Sequence, residues 1–184
     1  MKSPLVSLLI LLTSFYLTIT AILFFTQSYF IFFPREISGN QHSFLKQFKS
    51  NEITLDHDGI SLHGWFIQNE TNPENTLIIY YGGNAEEVSM NLYDLDKFGD
   101  HSLLFMNYRG YGKSEGRPSQ DALFSDALFI FDHISKKYYI PPEKIILKGR
   151  SLGSAVAIHV AGQRKVKAVL LVTPFDNMVN VAKK

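Results

Sequence analysis

Gly149-Arg150-Ser151-Leu152-Gly153 sets one serine between two glycines at the spacing G-x-S-x-G. Three fixed positions are a weak pattern by themselves. Here the apolar run Lys144–Lys148 leads in and a stretch of small residues follows, the strand–turn–helix setting in which the pattern makes a nucleophile elbow. Such a turn strains the serine backbone, and side chains at Gly149 and Gly153 would clash within it. In return the Ser151 hydroxyl is exposed at a helix N-terminus, beside a Leu152 amide able to bind a developing oxyanion. A serine here could also do no more than cap the helix, but the setting on both sides favours the nucleophile.

An oxyanion needs a second donor, expected from the turn after the third strand, and that turn is Gly82-Gly83-Asn84-Ala85. Glycines there let the backbone come close to a substrate and turn amides inward. Residues alone support a plain strand-to-helix turn equally well. Asn84 is the candidate for the second amide. The glycine-rich run Tyr108–Pro118 is a third candidate loop. Its glycines at 110, 112 and 116 leave one residue too many for G-x-G-x-x-G, no helix starts before Ser119, and no Walker A sequence exists. A nucleotide is therefore not expected, and no cofactor is called for.

Composition narrows the remaining classes. A formal charge of +1 over 184 residues gives no reason to expect nucleic acid. With no cysteine there are no disulfides, thiolate metal sites or cysteine nucleophiles, and no metal is expected. The apolar residues are unevenly spread. Most of Leu5–Phe33 is Leu, Ile, Phe, Val or Ala, and no charge falls between Lys2 and Arg35. A bilayer-spanning helix needs about 20 such residues. A cleaved signal has a shorter apolar region and a small-residue cleavage site, which is missing here. The expected arrangement is a single-pass anchor at 1–35 holding the bilayer through residues 5–33, a polar tether at 36–51, and a domain from 52 to 184. The side of the membrane stays open, because lysines and arginines stand at both ends.

The elements that must position the candidate residues follow from periodicity. Ile53–Asp56 and Ser61–Ile67 flank His57-Asp58-Gly59 and read as a hairpin. Thr76–Tyr81 and Ser102–Asn107 read as strands buried on both faces. Val88, Leu92 and Leu95 mark a helix between them. Ser119 caps another, with Leu123, Ala127, Phe131 and Ile134 along one face. Ser151–Gly162 follows as a helix and Lys167–Val172 as a strand. A hairpin leading into repeated β-α units implies a mostly parallel, doubly wound sheet with its site beyond the carboxyl ends of the strands.

The runs YRGYGKSEGRPS, YYGGNAEEV and GRSLGS, in this spacing, resemble the Bem46-like and ABHD13/ABHD17-like members of the α/β-hydrolase superfamily. The resemblance covers roughly residues 50–182. It implies an α/β-hydrolase fold incomplete at its C-terminal edge, and a serine hydrolase acting on an acyl ester or thioester near a membrane. Ser151 would be its nucleophile, and the Leu152 and Asn84 amides its oxyanion hole. Gly149 and Gly153 would shape the elbow, Gly82 and Gly83 the turn, and Arg109 and Tyr111 the loop under the site. Gly82 stands where the family often has histidine, which bears on loop packing more than on chemistry.

Hydrolases of this fold order their triad serine, acid, histidine. After Ser151 the sequence holds one acid, Asp176, and one histidine, His159. Eight residues of helix put His159 about 12 Å from Ser151, too far to bond. Asp176 in TPFDN reads more readily as a helix cap than as the triad acid. The expectation is a fragment or a truncated product, and the alternative to an enzyme is a catalytically silent, membrane-anchored binding module. The nucleotide sequence past Lys184 would separate the two.

If Leu5–Phe33 spans a bilayer, the protein stays with membranes through an alkaline carbonate wash. Recovery in the soluble fraction, or an N-terminus beyond residue 20, would exclude the anchor.

Overall fold

The Asp58-Gly59 pair sets one edge of the sheet. Both residues take positive φ, 54° and 74°. That is the two-residue turn whose twist suits flanking strands, so β1 (Glu52–His57) and β2 (Ile60–Ile67) close into an antiparallel hairpin. In this computed structural model, which describes residues 3–71 and 74–174, four further strands extend the hairpin. These are β3 (Leu77–Tyr81), β4 (Ser102–Met106), β5 (Ile145–Arg150) and β6 (Ala168–Val172). The order across the sheet is β1-β2-β4-β3-β5-β6, with β2 antiparallel to β4 and the last four strands parallel.

β3 and β4 are buried along their whole length, as their unbroken apolar runs require. On one face Ile78, Tyr80, Leu103, Phe105 and Ile146 form a core with Trp65, Val88, Leu92 and Phe98. Helices α3 (Gln120–Lys137) and α4 (Leu152–Ala161) carry the buried residues that meet the alternate side chains of the strands. The Ser119 side chain accepts from the Ala122 amide and caps α3, as expected, and Lys136 and Lys137 occupy its last turn.

Two expectations need correction. The run Val88–Phe98 is a 3-10 helix interrupted at Asp94 (φ −123°, ψ 28°), not a regular α-helix. Short polar side chains at Ser89, Asn91, Asp94 and Asp96 compete for backbone hydrogen bonds along it. Val88 and Leu92 are still buried, so the apolar spacing located the inner face correctly. Residues 36–51, expected as a polar tether, instead carry helical turns at Gly39–Gln41, α2 (His42–Leu45) and Lys46–Asn51. Leu45 enters the core cluster, with Ile37, Phe44 and Phe48 packed against it. Phe44 also stacks on Tyr93 at 3.7 Å between ring centroids. Apolar residues at 37, 44, 45 and 48 are sparse among polar ones, which hid this packing.

The chain divides into two compact units at Phe33/Pro34. The first contains α1, Pro4–Ile31, a single 28-residue helix. It is the one helix among the described residues that is long and apolar enough to cross a membrane.

At the sheet edge, Glu52 takes hydrogen bonds from Lys49 (3.0 Å) and Lys113 (3.2 Å), and His63 Nε2 lies 3.4 Å away. Burial alone would raise the Glu52 carboxyl, but Lys49, Lys113 and His63 outweigh it and bring it down to about 2. Burial holds the His63 imidazole below its ordinary value of 6.5. Both groups bind protons less readily folded than unfolded, so both favour folding at higher pH. Stability should decline first as pH falls through 6.5, where the unfolded chain protonates His63, and again below 4.5, as Glu52 is forced to protonate. The melting midpoint is expected to drop between pH 8 and 5.5, and to drop less in His63→Gln. An equal drop in the variant would remove His63 as the cause.

Candidate active site

β5 ends at Arg150, and α4 begins at Leu152. Between them Ser151 takes φ 49° and ψ −116°. For a residue with a side chain this is sparsely populated territory that costs about 1–3 kcal/mol. The surroundings hold it there. The Ser151 amide donates to the Val172 carbonyl at 2.9 Å, and its carbonyl accepts from the Ser154 amide at 2.9 Å. The Ser154 hydroxyl donates to the Gly149 carbonyl at 3.1 Å. The Ser151 side chain makes no capping bond to α4. The plain-cap reading of this serine therefore fails.

The two flanking glycines are required by contact. A β-carbon on Gly149 would press into the Gly153 carbonyl and stand 2.7 Å from the Ser154 Cα. One on Gly153 would drive into the Tyr81 carbonyl and stand 2.6 Å from the Gly82 oxygen. No L side chain tolerates such approaches without backbone movement. Leu152 opens α4, so its amide has no partner within the helix and the helix dipole adds positive potential there.

The turn Gly82–Ala85 lies against the elbow. A β-carbon on Gly83 would stand 3.7 Å from the Ser151 Cβ and 3.5 Å from the Arg150 carbonyl. Ala85 takes φ 57°, a second strained residue in the same region. Two tyrosines from the loop after β4 hold this turn. The Tyr108 hydroxyl donates to the Gly82 carbonyl at 2.9 Å, and the buried Tyr111 hydroxyl to Asn84 Oδ1 at 2.9 Å. Burial pushes the Tyr108 hydroxyl far above its ordinary range, so it remains a donor.

Glu86 went unrecognised in the sequence as a site residue. One carboxylate oxygen accepts from the Gly83 amide at 2.7 Å and from Arg150 at 3.0 Å. The other accepts from the Tyr80 hydroxyl at 2.8 Å and from Asn91 at 3.0 Å. The carboxylate thus ties the turn to the residue before Ser151. Its attraction raises the Arg150 guanidinium further. Glu86 stands three residues after Gly83, the spacing at which a capping-box glutamate reaches back to a backbone amide, and that spacing is the signal that could have found it. Glu87, its neighbour, is buried and accepts from the Ser89 amide and from Asn107 Nδ2.

Arg109 does not reach this region. Its guanidinium forms a fork on the buried Asp126, with both nitrogen–oxygen distances 2.7 Å, and His57 Nδ1 closes on the same carboxylate at 2.6 Å. Of the two loop residues expected under the site, Tyr111 bonds the turn beside Ser151, whereas Arg109 ties its loop to Asp126 of α3. Asp176 lies outside the described residues.

All six histidines in the sequence are described, and none of them bonds Ser151. His57 is committed to Asp126, and His101 contacts Thr76. His63 faces Glu52 and Trp65, and His133 lies beside Phe129. His42 is exposed on the turn after Gln41. His159 stacks on Phe124 and meets Gln163, away from the elbow. Among the described residues no cluster of ligand-type side chains could hold a metal ion.

No family model matches the chain. It is 33% identical over 131 residues to the α/β hydrolase domain-containing protein WAV2 of Arabidopsis thaliana, a match covering 68% of this chain and 42% of that protein. It is 37% identical over 114 residues to an uncharacterised membrane protein of Saccharomyces cerevisiae, covering 60% of this chain and 39% of that one. The chain thus spans less than half the length of these relatives. Among solved structures, an α/β hydrolase from Vibrio vulnificus superposes with a TM-score of 0.69 at 23% identity, over 81% of this chain and 55% of that one. The Pyrococcus furiosus esterase Pf2001 gives 0.61 at 20% identity, over 82% and 58%. With its hairpin, parallel sheet and glycine-flanked turn at the end of β5, the chain has the α/β-hydrolase fold.

Proposed function

We propose that residues 52–184 carry the nucleophile and oxyanion hole of a serine hydrolase that cleaves acyl esters or thioesters at a membrane surface. The observation that carries this reading is the strained Ser151, held at the carboxyl end of β5 with its hydroxyl unused by the helix behind it. In the proposed reaction Ser151 Oγ attacks the acyl carbonyl and its proton passes to a base. The negative charge gathers on the carbonyl oxygen, facing the Leu152 amide and an amide of the Gly82–Ala85 turn, assigned to Asn84. Collapse expels the alcohol or thiol, which takes the proton, and water then frees the acid from the acyl-serine. Glu86 and Arg150 act as positioning residues, because they hold turn and elbow together.

None of the six histidines is placed to take the Ser151 proton, so this reading assigns the base to a residue beyond those described. The same observation supports a second reading, a membrane-anchored module that holds an acyl group without turning it over. The three loop motifs support placement with the Bem46-like and ABHD13/ABHD17-like hydrolases. A single-pass N-terminal anchor is supported by the length and composition of α1 and by the yeast relative's description as a membrane protein.

The two readings separate by experiment. Protein isolated from its own cells at its native length should take a fluorophosphonate adduct on Ser151, and Ser151→Ala should take none. An intact, folded protein that stays unlabelled would favour the binding module. The 184-residue chain alone should hydrolyse a p-nitrophenyl ester weakly, since stripped triads retain only about 10³–10⁴-fold over water. Robust turnover abolished by Ser151→Ala would place a base within these residues and overturn the assignment.

A further inference from the structure

We propose that a single buried water molecule is bound between β3, the loop after β4 and α3, where it joins the Tyr81 hydroxyl to Tyr108 and Asp126. The site lies wholly within the second of the two compact units. It stands whether or not Ser151 is a nucleophile.

Tyr81 is the last residue of β3 and is 4% exposed. Its hydroxyl is buried and has no hydrogen-bond partner among the described residues. Burial raises this hydroxyl so far that it stays protonated, a donor that must find an acceptor or go unpaired. The other buried tyrosines are satisfied, since Tyr80 donates to Glu86, Tyr108 to Gly82 and Tyr111 to Asn84. An unpaired buried hydroxyl is costly, and folded proteins keep few of them.

Tyr81 lines a cavity of about 10 Å³, walled also by Tyr108, Asp126 and mostly apolar side chains of β3, β4 and α3. That volume admits one water and nothing larger. A purely apolar void would stay dry, whereas the polar groups here leave the bonds that a water needs. Asp126 Oδ1 accepts from Arg109 and from His57, while Oδ2 accepts one bond, from Arg109 Nε, and keeps a lone pair. The Tyr108 hydroxyl gives its proton to the Gly82 carbonyl, and its oxygen can still accept. Asn107 and Tyr80, the other polar side chains on the wall, are committed to Glu87, Val88 and Glu86. A water in this cavity accepts from Tyr81 and donates to Asp126 Oδ2 and Tyr108 Oη. Three bonds are the usual number for a buried water. It ties the end of β3 both to α3 and to the tyrosine that holds the Gly82 carbonyl.

The test uses the 184-residue chain in detergent micelles, with Tyr81→Phe beside it. Magnetic cross-relaxation from water to the Ala127 and Ile130 methyls, which line the cavity, is expected with the sign of a water held as long as the protein tumbles. Methyls that see no such water overturn the proposal. Tyr81→Phe removes the donor and leaves the water one bond short, so the melting midpoint should fall by about 2–4 °C. A hydroxyl without a partner predicts the opposite sign, because its removal relieves a buried unpaired group. A midpoint that stays put or rises therefore also overturns the proposal. Tyr81→Phe and Tyr108→Phe should combine non-additively, since both hydroxyls meet the same water. Strictly additive changes would show that nothing joins them, and the proposed bridge would fall.

Discussion

The approach of α4 to β3 is the constraint on which the site depends. Gly153 lies so close to the Tyr81 and Gly82 carbonyls that no side chain fits between them, and Gly149 lies as close to Gly153. With the helix start pressed into the sheet, the backbone has one residue in which to turn from strand to helix. That residue must accept a conformation L side chains rarely adopt. The strain at Ser151 is thus a result of packing, held by the Val172 and Ser154 backbone bonds on either side. The same contact sets the turn Gly82–Ala85 beside the hydroxyl, since Gly82 is both the first residue after β3 and part of the wall Gly153 meets.

Polar side chains then fix what packing leaves loose. Tyr108, Tyr111 and Glu86 each bond a different residue of the turn, and Glu86 also holds Arg150. Asn107 bridges the Val88 amide and Glu87, joining the end of β4 to the start of the neighbouring 3-10 run. Asp126 performs a separate task, because its carboxylate is shared by Arg109 and His57 and keeps the hairpin against α3. A buried carboxylate with a forked arginine and a histidine satisfies its lone pairs, the condition for such a group to be tolerated in a core.

Elements whose signal is local were legible in the sequence. The Asp58-Gly59 turn, the capped start of α3, the strands β3 to β5 and the glycine-flanked serine all follow from residue types at short spacing. What was not legible depends on partners distant in the chain. Arg109 sits in a glycine-rich loop two residues from Tyr111, yet one side chain goes to Asp126 and the other to Asn84. Neither direction is written in the loop itself. No residue near Glu86 names Arg150 as its partner, and only the folded chain brings Arg150 to it from 64 positions away. Residues 39–51 looked polar because their few apolar side chains have no period of their own and bury themselves against Tyr93 and the core of another segment.

The strand order has a consequence for the sequence of events during synthesis. β3 ends at Tyr81, but its partner β5 begins only at Ile145. Until that later segment is made, the centre of the sheet has one side unpaired. At about 5–20 residues per second this interval lasts several seconds. Parallel pairing over such a separation is also intrinsically slow, because the loop must close before the contact rewards it. Pro4–Ile31 by contrast needs no partner to become a helix in an apolar setting. The N-terminal helix is therefore complete well before the β3–β5 pairing exists, and the Ser151 turn is among the last features of the described chain to acquire its shape.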